Sequence, residues 1–281
     1  MIIWLASYPK SGNTWIRSFL VSLLKKKNAE ADINDLEFIR QYPLRSDFSN
    51  LSINIDNIKE LSKKWIESQN IINSDNKIKI LKTHYSLCNL NGNFFTNYNN
   101  TLGAIYIIRD PRNVVTSIKH YYSEKNINEA LNFILDDNCV IGNSNKKNPK
   151  NNEIITPIAS WKTHYNSWKL LKKNFLLIKY ENLINSNKEF FKITEYIENH
   201  LKIKIDEEKK LQAIKNNSFE KLKQLEKKYG FRESEIKNKK TMNKMFFNLG
   251  PQNDWKKLLE PKIAKKIEKI FQKEMVELEY I

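Results

Sequence analysis

The pattern of apolar and polar residues begins with a strand, a tight loop and a helix. Residues 2–6 are consecutively apolar, which predicts a short strand buried on both faces. Polar and turn-forming residues follow, and Pro9, which has no backbone donor, ends the strand. From Thr14 onward, apolar residues recur every three or four positions, at Trp15, Ile16, Phe19, Leu20, Leu23 and Leu24. This spacing predicts that a helix begins at Thr14.

Three further apolar runs predict the remaining strands of a sheet. They lie within residues 77–84, 102–108 and 175–180. Helical patterns alternate with them, one beginning at Pro111 and one covering residues 157–173. Alternating strands and helices are typical of an α/β fold with a central, mostly parallel sheet and helices on both faces. Because 281 residues can bury the core of one large domain, we expect a single domain over 1–281.

Polar stretches interrupt this alternation in three places. Residues 25–76 predict short helices and loops, which in a doubly wound sheet lie at the carboxyl ends of strands, where ligands bind. This stretch is therefore a candidate wall for a second substrate. The segments 139–156 and 229–254 predict mobile loops.

Charge and cysteine content limit the class of protein only broadly. The formal net charge is +16, which favours an anionic partner such as a nucleotide, an acidic polymer, a nucleic acid or a membrane surface. Cys88 and Cys139 are too few for a disulfide framework and lack metal-ligand spacing. No targeting segment and no apolar run of membrane-spanning length is visible. We therefore expect a cytoplasmic protein without a transmembrane segment.

The first loop is a candidate anion site. A loop between a strand and a helix directs backbone N–H groups and the helix N-terminus toward a common point. Gly12 lets the backbone approach an anion, while Lys10 and Thr14 add a charge and a hydroxyl group. The loop is not a Walker A sequence, because its lysine precedes the glycine. From these residues alone, an ordinary turn with a surface lysine remains the alternative.

Two more candidates follow the second and third predicted strands. His84 can serve as a general base, because the pKa of histidine lies near neutrality, although a structural histidine is the alternative. Arg109 and Ser117 are spaced so that both could reach one phosphate, with a surface pair as the alternative. The other histidines fall within or at the ends of predicted helices: His120, His164 and His200.

Three motifs in order resemble one family. Residues 8–15, YPKSGNTW, resemble the 5′-phosphosulfate loop of sulfotransferases, usually written YPKSGTTW. Asn13 replaces a threonine, a change common in bacterial members of that family. Residues 82–84, KTH, match the family's catalytic tripeptide, and residues 105–117, IYIIRDPRNVVTS, match its 3′-phosphate motif. The chain thus resembles the sulfotransferases that use 3′-phosphoadenosine-5′-phosphosulfate (PAPS), which have a P-loop nucleotide-kinase-like fold.

The resemblance implies in-line transfer of a sulfuryl group from PAPS to an acceptor hydroxyl or amine, with no metal required. It implies that His84 is the general base and that Lys10 and Lys82 stabilise developing charge. Trp15 and Tyr180 correspond to the family's adenine contacts. The residues implied to bind the donor nucleotide are Lys10, Ser11, Gly12, Asn13, Thr14, Trp15, Arg109, Ser117, Tyr180, Ser218, Phe219 and Gly250.

The sequence departs from the family near its C-terminus. Residues 246–255 read FFNLGPQNDW where the family has an RKGxxGDW-like string. Gly250, Asp254 and Trp255 align, but Asn248 and Leu249 occupy the positions of the two cations that hold the 3′-phosphate. Either this phosphate is held less tightly or another cation replaces them, for which the candidates are Lys239, Lys240 and Lys244.

Two other functions are compatible with parts of the sequence. A P-loop kinase or NTPase would share the fold, but Walker A and an obvious Walker B aspartate are lacking. A nucleic-acid-binding protein would explain the charge, but the basic residues are spread along the chain without a recognised motif. We therefore predict a sulfotransferase that binds PAPS and an acceptor rather than nucleic acid. The sequence leaves the acceptor and the oligomeric state open.

Overall fold

The computed structural model describes residues 1–122, 126–142, 154–172, 174–235 and 245–281. The middle parts of both expected mobile loops lie outside these ranges. Lys239, Lys240 and Lys244, the candidates for a replacement cation, also lie outside the described residues.

The strands and helices alternate along much of the chain. The strands are β1 (Ile2–Ser7), β2 (Lys79–Thr83), β3 (Asn89–Leu90), β4 (Asn93–Phe94), β5 (Thr101–Ile108), β6 (Val140–Ile141), β7 (Thr156–Pro157) and β8 (Phe175–Lys179). The helices are α1 (Asn13–Lys25), α2 (Ile58–Ser62), α3 (Trp65–Ile72), α4 (Pro111–Tyr122), α5 (Ile127–Leu135), α6 (Trp161–Lys169), α7 (Tyr180–Asn185), α8 (Lys188–Leu201), α9 (Glu207–Asn216), α10 (Phe219–Tyr229), α11 (Arg232–Glu235), α12 (Trp255–Leu258), α13 (Pro261–Ile270) and α14 (Gln272–Glu277).

The four predicted strands form one sheet in the order β2-β1-β5-β8. β1 pairs in parallel with β2, with Ile3 opposite Ile80, and in parallel with β5, with Leu5 opposite Ile105. The short strands form separate antiparallel pairs, β3 with β4 and β6 with β7. The predicted α/β fold, a central parallel sheet flanked by helices, is confirmed.

Two of the boundaries that differ from those predicted belong to α7 and α6. Tyr180 is the first residue of α7 and not the last residue of a strand. The helix expected over 157–173 begins at Trp161, because Pro157 pairs with Val140 and the hydroxyl of Ser160 caps the helix by accepting from the backbone N–H of Thr163. Its predicted buried side chains, Trp161, Tyr165 and Trp168, are buried. None of the helices in the described ranges is both long and apolar enough to cross a membrane.

The chain divides into two compact units. The first contains residues 1–8, 39–107 and 135–177, and the second contains residues 9–38, 108–134 and 178–281. Most of the sheet belongs to the first unit.

An aromatic core fills the first unit. Trp4 of β1 lies fully buried, with its ring centroid 5.5 Å from that of Tyr42 and 5.3 Å from that of Phe95. Trp168 of α6 packs edge-on against the same tryptophan at 6.5 Å. Residues 39–76, predicted to hold short helices and loops, do so and join the sheet where Gln41 forms a parallel bridge with Lys82. The inserted segment therefore lies beside the carboxyl end of β2.

The second unit has its own core around α1. The apolar positions that predicted this helix are buried, including Trp15, Ile16 and Phe19. Phe190 of α8 packs against the ring of Phe19 at 4.9 Å and against that of Trp15 at 5.8 Å. These contacts hold the first turn of α1 against the C-terminal helices of the unit.

Candidate active site

The loop that follows β1 presents the start of α1 without a side-chain cap. Gly12 precedes the helix with φ of 102°, and its carbonyl accepts from the N–H of Trp15 at 3.1 Å. Because the N-cap residue is a glycine, it contributes no side-chain acceptor to the first turn of α1. The first N–H groups of a helix carry partial positive charge and require acceptors. The backbone here is therefore suited to bind an anion.

Ser11 supplies the observation that points most directly to a ligand. Its side chain is 1% exposed, and within the described part of the chain its Oγ has no hydrogen-bond partner. A buried hydroxyl group without a partner costs about 1–3 kcal/mol, and such groups are rare in native proteins. A phosphate oxygen would satisfy this hydroxyl, so the loop fits the phosphate of a nucleotide.

Gly12 leaves no room for a side chain. A methyl group at this position would lie 2.6 Å from Cδ2 of Tyr180. The ring of Tyr180 in turn packs edge-on against Trp15, with centroids 5.7 Å apart. The glycine thus permits both the left-handed turn and the close approach of an aromatic ring.

Arg109 connects three of the segments that the sequence motifs identified. It is 5% exposed and donates to the carbonyl oxygens of Lys10 at 3.0 Å and Gly250 at 3.3 Å. Its guanidinium carbon lies 4.1 Å from the ring centroid of Tyr180, which is a cation–π contact. The arginine therefore lies beside the first loop, the start of α7 and the segment that contains Gly250.

A half-buried carboxylate supports the residue after Arg109. Glu181 accepts from the backbone N–H of Asp110 at 2.9 Å and from the hydroxyl of Tyr280 at 3.0 Å. Burial raises the pKa of Glu181. Neither Glu181 nor Tyr280 was predicted as a site residue, although Glu181 directly follows Tyr180 in the chain. Together they fix the turn from β5 into α4.

The remaining donor-site candidates occupy different environments. Nζ of Lys10 lies 3.7 Å from the ring centroid of Tyr121 and 4.2 Å from that of Phe246. Ser117 is half-buried in the second turn of α4. The hydroxyl of Ser218 caps α10, accepting from a backbone N–H of its first turn.

Asn217 holds the tryptophan that the resemblance assigns to adenine. Its carbonyl accepts from Nε1 of Trp15 at 2.6 Å, and its side-chain oxygen accepts from Ser18 at 2.7 Å. It is fully buried. Phe219 lies 6.3 Å from Trp15, edge-on. Asn217 therefore positions one wall of an aromatic group formed by Trp15, Tyr180 and Phe219.

One face of α10 holds residues 246–250, which we call the 246–250 strap. The carboxylate of Glu226 accepts from the backbone N–H groups of Phe246 at 2.6 Å and Phe247 at 2.8 Å. One turn earlier, Nζ of Lys223 donates to the carbonyl of Asn248 at 2.8 Å. Burial raises the pKa of Glu226, while the two N–H groups and nearby lysines oppose that rise.

The strap explains two features of the altered C-terminal motif. A methyl group on Gly250 would overlap the ring of Phe219, so only glycine fits there without displacing that ring. Lys223 places a positive charge at Asn248, one of the two positions where the family has a cation. Lys223 was not predicted from the sequence, because it lies 25 residues from Asn248 along the chain.

Residues after the strap are fixed to the start of α4. Asn253 accepts from the hydroxyl of Thr116 at 2.8 Å and donates to the carbonyl of Asn113 at 2.8 Å. The ring of Trp255 lies 4.0 Å from the guanidinium carbon of Arg112. Asp254 caps α12 through the backbone N–H of its second residue. Two of the aligned motif residues, Asp254 and Trp255, thus have local structural contacts.

In the first unit, the histidine of the KTH motif has a defined tautomer. Nδ1 of His84 lies 2.8 Å from the carbonyl oxygen of Ser7. A carbonyl oxygen only accepts hydrogen bonds, so Nδ1 carries a proton and Nε2 of the neutral ring carries the lone pair. Nε2 is therefore the atom that can accept a proton, as a general base requires.

Lys82 lies two residues before that histidine at the end of β2. It is 8% exposed, and its Nζ donates to the side-chain oxygen of Gln41 at 3.1 Å. In the part of the chain that the structure describes, no group of three His, Cys, Asp or Glu side chains is arranged to hold a metal ion.

The structure thus brings most of the predicted donor-site residues together in the second unit. Direct contacts link Lys10, Gly12, Trp15, Arg109, Tyr180, Phe219 and Gly250. Ser11, Asn13 and Thr14 lie in the same loop or in the first turn of α1.

Comparisons with known proteins agree with this geometry. The family model described as "Sulfotransferase domain" matches residues 2–279. A 3-beta-hydroxysteroid sulfotransferase of Cavia porcellus is 25% identical over 283 residues, covering 96% of this chain and 82% of that protein. Sulfotransferase 1E1 of Homo sapiens is 25% identical over 281 residues, covering 97% and 83%.

Solved structures show the same fold. Mouse sulfotransferase SULT7A1, complexed with PAP, superposes with a TM-score of 0.57 at 20% identity, covering 98% of this chain and 84% of that one. Retinol dehydratase, in complex with androsterone and the inactive cofactor PAP, has a TM-score of 0.61 at 16% identity, covering 98% and 80%. Because the family model spans nearly the whole chain, the protein belongs to the family of PAPS-dependent sulfotransferases.

Proposed function

We propose that this enzyme transfers the sulfuryl group of PAPS to an acceptor hydroxyl or amine, with His84 as general base. The observation that carries the proposal is the buried Oγ of Ser11, without a partner in the described part of the chain, at the start of α1 where no side chain caps the helix. Mouse sulfotransferase SULT7A1 and retinol dehydratase, which share this fold, were both solved with PAP, the desulfated nucleotide, and this supports the same donor here. When bound, PAPS supplies an activated sulfuryl group and adenosine 3′,5′-bisphosphate as the leaving group.

The first loop binds the 5′-phosphate in this proposal. The N–H groups of the first turn of α1 and the hydroxyl groups of Ser11 and Thr14 donate to its oxygens. Lys10 and Asn13 belong to the same anion site, and the ammonium group of Lys10 stabilises negative charge. Charge that develops during transfer is stabilised best by donors already in place, because no reorganisation is then needed.

In this proposal the aromatic group binds the adenine, and Arg109 binds the 3′-phosphate. Trp15, Tyr180 and Phe219 offer aromatic surface to adenine. Arg109 is a planar, permanently charged donor suited to a phosphate, and Ser117 adds a hydroxyl group. We assign the 3′-phosphate to these two residues, with Lys223 of α10 adding the charge that Asn248 and Leu249 do not provide.

His84 accepts the proton of the acceptor at Nε2. The hydrogen bond from Nδ1–H to the carbonyl of Ser7 fixes this tautomer and stabilises the imidazolium that forms. Lys82 contributes a second positive charge near the carboxyl end of β2. Gln41, which accepts from Lys82, belongs to residues 39–76, and we assign this inserted segment to the acceptor side.

Transfer of radiolabelled sulfur from PAPS tests the proposal. Purified protein is incubated with labelled PAPS and one acceptor at a time: a phenol, a primary alcohol, a 3β-hydroxysteroid and an amine. A hydroxysteroid is included because one relative is named for it. We expect labelled product with at least one acceptor class, and none with His84→Ala. Equal transfer by His84→Ala would contradict the assignment of the base.

A further inference from the structure

The buried side chain of His164 joins three segments of the first unit. Its Nε2 lies 3.1 Å from the carbonyl oxygen of His84, and its Nδ1 lies 2.7 Å from the hydroxyl of Tyr106 in β5. The ring of Tyr8, directly after β1, packs edge-on against it at 5.5 Å. His164 is fully buried in α6, and its contact with Tyr106 is buried as well, while its contact with His84 is partly buried.

The partners of His164 fix the direction of both hydrogen bonds. The carbonyl of His84 can only accept, so Nε2 of His164 carries the proton. Nδ1 is then the acceptor, and the hydroxyl of Tyr106 donates to it. Tyr106 therefore donates to His164, and His164 donates to the backbone carbonyl of His84.

The same helix holds the residues that follow His84. Nε1 of Trp168 donates to the carbonyl of Tyr85 at 2.9 Å, and Oγ of Ser167 accepts from the N–H of Leu87 at 2.9 Å. With the bond from His164, three hydrogen bonds hold residues 84, 85 and 87 against α6. The backbone position of His84 thus depends on this helix, and His164 is the member that contacts His84 itself.

Nδ1 of His164 can accept from the hydroxyl of Tyr106 only while the imidazole is neutral. Burial lowers its pKa to about 3, although the hydrogen bond to the backbone of His84 opposes this. The titratable side chains in contact with its ring are Tyr8 and Tyr106, and burial raises the pKa of Tyr106 well above its ordinary value. Near pH 7, both the imidazole and the phenol of Tyr106 therefore remain in the protonation states that the hydrogen bonds require.

We propose that His164 is a positioning residue for His84, and that Tyr106 fixes the tautomer through which it acts. The hydrogen bond from His164 holds the backbone of His84 so that its ring donates from Nδ1 to Ser7 and keeps the lone pair at Nε2. This inference rests on the proposed role of His84 as general base. It adds that the base depends on a second histidine that does not contact substrate.

Nitrogen-15 NMR of the histidine rings tests the inference without substrate. The chain contains only four histidines, so each ring is assigned by one His→Gln variant. In the wild type we expect His84 as the Nδ1–H tautomer and His164 as the Nε2–H tautomer. In His164→Leu we expect His84 to become a mixture of tautomers. Tyr106→Phe removes only the hydroxyl group that donates to His164, so it should fold and should change the His164 signals. It keeps the test available if His164→Leu fails to fold.

Turnover supplies a second readout. We expect His164→Leu to lower kcat by about tenfold to hundredfold, as for small misplacements of catalytic groups, with affinity for adenosine 3′,5′-bisphosphate within twofold. His164→Gln, whose amide can replace Nε2–H as donor, should recover part of the loss. His200→Gln, on α8 in the second unit, is the matched control and should leave kcat and the His84 signals unchanged.

The two readouts separate failure of this inference from failure of the proposed function. A His84 ring that stays in the Nδ1–H tautomer in folded His164→Leu, with unchanged kcat, would overturn the inference. In Tyr106→Phe, unchanged His164 signals would overturn the role of the tyrosine. If the wild type transfers no sulfuryl group while the tautomers are as stated, the proposed function fails instead.

Discussion

The imidazole of His84 donates from Nδ1 to the carbonyl of Ser7, the last residue of β1, at 2.8 Å. Two adjacent parallel strands, β1 and β2, therefore cooperate to define one ring tautomer at their carboxyl ends. In the proposed mechanism, this contact makes Nε2 of His84 the atom that accepts the proton. It also predicts how substitutions at this position should behave.

His84→Gln and His84→Ala should abolish sulfuryl transfer while leaving nucleotide binding nearly intact. Neither side chain can accept a proton near neutral pH, and general-base catalysis typically contributes about 10²–10⁴-fold to rate. Labelled transfer from PAPS measures the first effect and calorimetry with adenosine 3′,5′-bisphosphate the second. If both variants lost nucleotide affinity as strongly as turnover, the histidine would be structural rather than catalytic.

Gly12→Ala should weaken both stability and nucleotide binding. Alanine at φ of 102° is strained, and its methyl group would displace the ring of Tyr180. Gly92→Ala is a matched control: φ is 86° there, and the new methyl group would meet no heavy atom of the described residues within 4 Å. Both variants should show the backbone penalty, and Gly12→Ala should lose about 1–3 kcal/mol more in thermal unfolding. Equal losses would contradict the packing of Tyr180 on the loop.

Lys223→Gln should lower the affinity for adenosine 3′,5′-bisphosphate by about tenfold, equivalent to about 1.4 kcal/mol. The amide can still donate to the carbonyl of Asn248, so the variant removes mainly the charge. Affinity for AMP, which lacks the 3′-phosphate, should change little. Lys221→Gln, exposed on the same helix, is the control. Equal weakening of both nucleotides would show that Lys223 does not serve the 3′-phosphate.

His164 should make stability depend on pH in acid. Its ordinary pKa is 6.5, and burial lowers the pKa in the folded protein to about 3. Between these values the unfolded chain binds a proton that the folded protein does not, so stability falls as pH decreases through this window. The slope contributed is at most about 1.4 kcal/mol per pH unit. Urea unfolding of wild type and His164→Gln from pH 7 to pH 4 should show a shallower slope in the variant. Parallel slopes would contradict a neutral buried His164.

Local patterns in the sequence were sufficient to predict the sheet. Continuous apolar runs identify strands buried on both faces, and Pro111 marks the start of α4. The predicted end of β8 at Tyr180 was wrong, because an aromatic residue is compatible both with a strand and with the first turn of a helix. The predicted start of α6 was wrong because Pro157 pairs with β6. This pairing joins residues 15 or more apart in sequence, and local periodicity cannot detect it.

The contacts that complete the site were less predictable. Lys223 and Glu226 hydrogen-bond backbone groups of residues distant in sequence, so no spacing rule could identify them. The carbonyl of Asn217 accepts from the side chain of Trp15, which is also distant in sequence. The contact between His164 and His84 spans 80 residues and ends on a carbonyl, which carries no sequence signal. The loop from Lys10 to Thr14 was found because its residues are consecutive and their chemistry is local.

Calorimetric titration with adenosine 3′,5′-bisphosphate, run against AMP and ATP, tests the central claim most directly. That claim is that the first loop and Arg109 bind a nucleotide with a 3′-phosphate. We predict micromolar binding that requires the 3′-phosphate and weakens at least about tenfold in Lys10→Ala and Arg109→Ala, because each loses a charge-assisted hydrogen bond. No binding, or equal binding of ATP and of both variants, would contradict the account.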